Sequence, residues 1–175
     1  MKTILTVNHL KFIILILSIF LPTCFFAQKI EIGEKGVRIN STLIKNENDV
    51  KQALGLPTKK ALFPDSIKGG YWEYQDLGLT VYFREKDNIK KCDLSIMFNE
   101  FKGEVILGKK KIERDTHLYK LLQYDELNFN PIEIQPIPND PSKFGQFIGA
   151  ECYGKNASFI YNSPDALGLL SIDMY

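Results

Sequence analysis

The sequence predicts an α+β protein of two tandem repeats, each a short helix packed on an antiparallel β-meander. Three observations predict it: a helix that stops abruptly at "ALGLP" (53–57), three alternating runs after it, and a second copy of the same apolar phase 68 residues further on.

The helix comes first. In "NENDVKQAL" (46–54), Asn46 or Asn48 stands where a cap is needed, and Asp49 suits the positive end of the helix dipole. Val50, Ala53 and Leu54 share one face at helical spacing. Gly55 tolerates the left-handed conformation that closes a helix, and Pro57 has no N–H with which to continue it.

Strands surround the helix. In "YWEYQDLGLTVYF" (71–83), Trp72 and Tyr74 share one face of a first strand. Leu79, Val81 and Phe83 share one face of a second, and "QDLG" makes the turn. After the polar turn "REKDN", "IKKCDLSIMF" (89–98) alternates again, with Cys92, Leu94 and Ile96 in phase. Ahead of the helix, Ile30, Ile32, Val37 and Ile39 mark an extended segment around Gly33 and Gly36.

"VRINSTLIKNENDVKQAL" (37–54) lies over "VILGKKKIERDTHLYKLL" (105–122) without a gap. Val37 meets Val105, Ile44 meets Ile112, Val50 meets Leu118 and Leu54 meets Leu122. "LTVYF" matches "ASFIY" (157–161), and "LSI" (94–96) recurs at 170–172, at an offset of 76–78. The added residues fall in the Pro- and Asn-rich stretch 128–147, which reads as an irregular loop. The repeats are therefore placed at 28–101 and 102–175. A half of this size buries little surface alone, so two halves gain by sharing an interface.

Residues 1–27 read as a signal peptide. Lys2 and Lys11 precede an apolar run from Phe12 to Leu21, and Ala27 suits the position before a cleavage point. The run is too short for a permanent span. "LPTC" (21–24) is similar to a lipobox at Leu21 and departs from it at Pro22 and Thr23. Acylation of Cys24 is therefore the alternative to its loss with the leader. The expectation is an exported chain, periplasmic or secreted, with a lipid anchor as its one link to a membrane. Removing Lys2 and Lys11 leaves one base fewer than the 21 acids, so no basic field exists to hold nucleic acid. Cys92 and Cys152 remain, either as two buried thiols or as a disulfide in an oxidising compartment.

The residues Asn48, Asp49, Val50, Leu54, Gly55, Pro57, Trp72, Tyr74, Leu79, Val81 and Phe83 form a pattern that resembles the SmpA/OmlA-like domain, known from a small lipoprotein of outer-membrane assembly. The match covers about 46–96. It fades over 105–175, where "LLQYDEL" stands in place of "LGLP". Duplicated, the arrangement resembles the beta-lactamase-inhibitor-protein-like fold. The resemblance implies an exported fold that binds other proteins and brings no catalytic residue.

Residue chemistry points the same way. His117 is the single histidine after the leader and has no metal-ligand partner at the required spacing. It leaves Cys152 as the one nucleophile to name beside it. "SIKGGYWEY" and "KFGQFIGAE" are not phosphate loops. Glu73, Asp76, Glu85, Asp87 and Asp93 crowd the first sheet, mostly at turns or on the polar phase. The charge run "GKKKIERD" (108–115) reads as a solvated turn. No catalytic residue, metal or cofactor is expected.

The outward phase of the first sheet is the candidate site: Tyr71, Glu73, Thr80, Tyr82, Lys91 and Asp93. Ser158, Ile160, Ser171 and Asp173 come from the second half. Aromatic residues framed by polar ones suit a protein-binding surface. The function expected is a non-enzymatic binding module of the bacterial cell envelope, a scaffold or assembly factor. An inhibitor or immunity protein that blocks an enzyme or toxin is the alternative, and a secreted hydrolase the minor one.

Overall fold

The computed structural model describes residues 28–175, apart from 65–67, 87, 132 and 138–139. The expected signal segment, with Cys24, lies outside the described residues.

The described chain is mostly β, in two sheets, with few helices. It opens with β1 (Lys29–Gly33) and β2 (Gly36–Ile39), an antiparallel hairpin. Asn40 and Ser41, both with positive φ, turn the chain into β3 (Thr42–Leu43). Two successive positive φ values match the right-handed twist of a tight hairpin.

Helix α1 spans Glu47–Leu54. Asn46 is its N-cap: the Asn46 side chain accepts from the N–H groups of Asn48 and Asp49, and Asp49 accepts in return from Asn46 N–H. This reciprocal box contributes about 1 kcal/mol. Gly55 closes the helix at φ 77, its N–H donating to Lys51 O. Val50 is the residue of α1 that is wholly buried.

Four strands follow: β4 (Lys59–Leu62), β5 (Lys68–Tyr74), β6 (Leu79–Lys86) and β7 (Ile89–Met97). "QDL" makes one 3-10 turn between β5 and β6, ended by Gly78 in the left-handed region. A Cβ on Gly78 would lie 2.6 Å from Phe101 N, so backbone crowding as well as φ requires glycine there.

Next come β8 (Glu104–Leu107), β9 (Lys110–Ile112) and the one-turn helix α2 (Leu118–Leu121). The chain ends with β10 (Leu127–Phe129), β11 (Glu133–Ile137), β12 (Asp140–Cys152), β13 (Lys155–Ser163) and β14 (Ala166–Asp173).

The small sheet has the order β3-β2-β1-β8-β9, with β1 and β8 parallel. The large sheet has the order β10-β12-β13-β14-β7-β6-β5-β4, and β11 also pairs with β12. Its centre is the antiparallel ladder of β7 and β14, in which Ser95 stands opposite Ser171. One core joins the two layers. Ile30, Ile32, Val37, Ile39, Val105 and Leu107 of the small sheet meet Leu79, Val81, Leu94, Ile96, Phe159 and Leu170 of the large one. Val50, Leu118 and Leu121 of the helices fill the same cluster. Each fully buried side chain of this kind contributes about 1.5–3 kcal/mol.

The structure differs from the sequence expectation in three places. The strand expected ahead of α1 is three short strands, and they belong to a separate sheet. The segment "KKAL" adds a fourth strand, β4, to the expected meander of three. The stretch 128–147, read as an irregular loop, supplies β10, β11 and much of β12. Proline misled there: β11 lies at a sheet edge, where a residue without an N–H takes part in pairing, as Pro136 does opposite Phe144.

Candidate binding face

The large sheet covers the core with one face. Its other face carries all six residues expected at the site. Across β5, β6 and β7, Tyr71 stands opposite Tyr82, and Tyr82 opposite Asp93. In the next row Glu73 stands opposite Thr80, and Thr80 opposite Ser95. Lys91 pairs with Arg84 one row beyond. Strand alternation causes this: Trp72, Tyr74, Val81 and Phe83 turn inward, so their neighbours turn out.

Tyr71 and Tyr82 lie 6.0 Å apart between ring centroids. Phe63 joins them at 6.3 Å from Tyr71 and 6.4 Å from Tyr82, parallel to the latter. All three are half-buried, which leaves aromatic surface available. Lys59 Nζ sits 5.6 Å from the Tyr71 ring centroid and 3.6 Å from Glu73 Oε1. Gln75 Nε2 donates to Glu73 Oε2 at 3.4 Å. Burial, then the Glu73 charge, raises the Tyr82 phenol above its ordinary range.

Asp93 is buried, and Arg84 Nη2 lies 2.7 Å from its Oδ2. Across the ladder it faces Asp173, whose Oδ2 accepts from Asn156 Nδ2 at 2.9 Å. Burial, then the hydrogen bond with Asp173, pushes the Asp93 carboxyl up to about 6, against the pull of Arg84. Beside them Ser95 Oγ and Ser171 Oγ are 3.3 Å apart.

Four expected contributors from the second half share this face. Ser158 and Ser171 continue the row of Thr80 and Ser95, while Asp173 meets Asp93 and Ile160 meets Leu169. Sequence reasoning missed Phe63, Arg84, Met97, Leu169 and Phe147. Continuing the alternation of β6 past Tyr82 would have found Arg84. Phe63 was invisible because β4 was not read as a strand.

Cys92 and Cys152 are separate buried thiols, and the disulfide considered from the sequence is not formed; β14 and β13 stand between their strands. Burial pushes both thiols up to about 12, which leaves little thiolate for nucleophilic work. His117 caps α2, its Nδ1 accepting from Tyr119 N–H at 3.2 Å, and is exposed. Among the described residues no group of three or more His, Cys, Asp or Glu is placed to hold a metal ion, and no helix is long and apolar enough to cross a membrane. No protein-family model, curated protein or solved structure matches the chain.

Proposed function

We propose that this chain is a tandem duplication serving as an exported, non-enzymatic protein-binding module of the bacterial cell envelope, and that it binds through the open face of its large sheet. The observation that carries the reading is the cluster of Phe63, Tyr71 and Tyr82 beside the Arg84–Asp93 pair. Aromatic side chains supply contact area at low entropic cost, and charges at their border set register with a partner.

Strand register supports the duplication. Shifting the β2–β3 pairs Arg38↔Leu43 and Ile39↔Thr42 by 68 gives Ile106↔Lys111 and Leu107↔Lys110, both pairs of β8 and β9. Thr80↔Ser95 corresponds to Ser158↔Ser171, and Val81↔Leu94 to Phe159↔Leu170. The central ladder is symmetric about Ser95 and Ser171: a shift of 76 turns Leu94↔Ile172 into Leu170↔Ile96. The resemblance of 46–96 to the SmpA/OmlA-like domain and the leader-like residues 1–27 support the envelope location.

The test is capture from a native envelope fraction with the chain from residue 28 onward, beside its Tyr71→Ala/Tyr82→Ala variant. A partner retained by the parent and lost by the variant is the expected result. An identical set of captured proteins would remove this face from the proposal.

A further inference from the structure

A second surface lies on the opposite side of the same sheet, at its β4 edge. No described strand lies beyond β4. Phe63 N–H donates to Gly69 O, and in the same alternation Ala61 and Lys59 turn their main-chain groups toward β5. The N–H and C=O groups of Lys60 and Leu62 therefore point outward along the edge. The other edge of the sheet differs, because Pro136 within β11 has no N–H. No proline falls inside β4.

Beside this edge, on the inner side, runs a groove of about 320 Å³ lined by Glu47, Leu62, Gly70, Trp72 and Phe83. Gly70 gives the floor no side chain, and a Cβ there would collide with Ala61 O. Leu62 is 86% exposed. Trp72 is half-buried, 4.5 Å from Phe83 between ring centroids. Lys51 Nζ and Lys60 Nζ stand 5.1 and 5.0 Å from the Trp72 ring centroid. Neither makes a salt bridge among the described residues, whereas Lys59 is held by Glu73 on the other face.

Lysines on an edge strand usually keep other strands away. Here Lys60 lies back over the indole, so the backbone edge stays open. Two copies of a lysine-bearing edge repel each other, and a segment carrying carboxylates is attracted. We propose that β4 and the Trp72 groove form a docking site for an extended acidic peptide segment. The segment adds to the sheet as a further strand and places a carboxylate against Lys51 and Lys60. Main-chain bonds to Lys60 and Leu62 give affinity, and the lysines and the groove select the side chains.

Trp72 is the single tryptophan of the chain, so its fluorescence reads this site directly. The probe is a capped eight-residue peptide of alternating glutamate and valine, and the control is its lysine–valine counterpart. The expected result is a saturable change of Trp72 emission with the acidic peptide alone. Lys51→Glu/Lys60→Glu is expected to weaken binding by about tenfold or more. Leu62→Pro removes an outward N–H without touching the β5 pairing and is expected to weaken it comparably. Absence of a saturable change, equal binding of the lysine peptide, or full affinity in Leu62→Pro would each overturn the proposal. The peptide comparison on the parent chain decides even if a variant folds poorly.

Discussion

The two halves of the large sheet place different chemistry at equivalent positions of the ladder. On the inner side Trp72↔Val81 in one half stands where Ile148↔Phe159 stands in the other. Ile148 and Phe159 are fully buried, while Trp72 is half-exposed between two lysines. Phe83 keeps partial contact with the groove, whereas Tyr161 is sealed, its hydroxyl donating to Thr116 O at 2.8 Å. On the outer side Tyr71, Tyr82 and Asp93 correspond to Phe147, Ile160 and Leu169. The later part of the sheet is thus closed over its core, and the earlier part keeps half-exposed aromatic surface.

Stability measurements break or sharpen this contrast. The largest effect belongs to Tyr161→Ala, which empties a sealed site and orphans Thr116 O; it should cost about 3–5 kcal/mol in urea unfolding. Trp72→Ala, at the open equivalent, should cost less than half as much. Equal losses would mean that the groove is as much a part of the core as the Tyr161 site.

The next effect concerns the seam. Asp93 and Asp173 face each other on one side of the Ser95–Ser171 pair, and Met97 and Leu169 do so on the other. The Asp93 carboxyl titrates near 6 in the folded chain, above the ~3.9 of an unfolded aspartate. Between roughly pH 4 and pH 6 the folded state holds a proton that the unfolded state has released. Asp93, held up first by burial and then by Asp173, therefore makes stability fall as pH rises through that window, by on the order of 1–2 kcal/mol. Asp173→Asn removes the like charge and leaves the Arg84–Asp93 pair intact, so the slope between pH 4 and pH 7 should flatten. An unchanged slope would leave burial of Asp93 as the cause of the pH dependence and remove Asp173 from it.

The smallest effect separates the two helices. Asn46→Ala breaks a capping box on an eight-residue helix and should cost about 1 kcal/mol. His117→Ala removes a single bond to Tyr119 N–H at the start of four residues, and a loss of a few tenths of a kcal/mol is expected. The reverse order would show that α2, for all its brevity, holds the second half together.

Much of this arrangement could be read from side-chain alternation alone. The inward set Tyr74, Leu79, Val81, Cys92, Leu94 and Ile96 followed from period-two patterning, and its complement gave the six outward residues. Helix α1 and its stop at Gly55 followed from capping chemistry within ten residues. These features are local: a strand alternates and a helix ends for reasons carried by neighbouring residues.

Strand partnership was a different matter. That β1 pairs in parallel with β8, that β7 and β14 join the halves into one sheet, and that β10 and β11 both pair with β12 all depend on residues far apart in the chain. Nothing in a single strand names its neighbour, because backbone hydrogen bonds are alike for every residue. The sequence by itself determined which side of each strand is apolar and where α1 begins and stops. The tertiary structure alone decided which edge stays bare, which aromatic residues meet, and which half is sealed, since those follow from competition among all strands for one shared core.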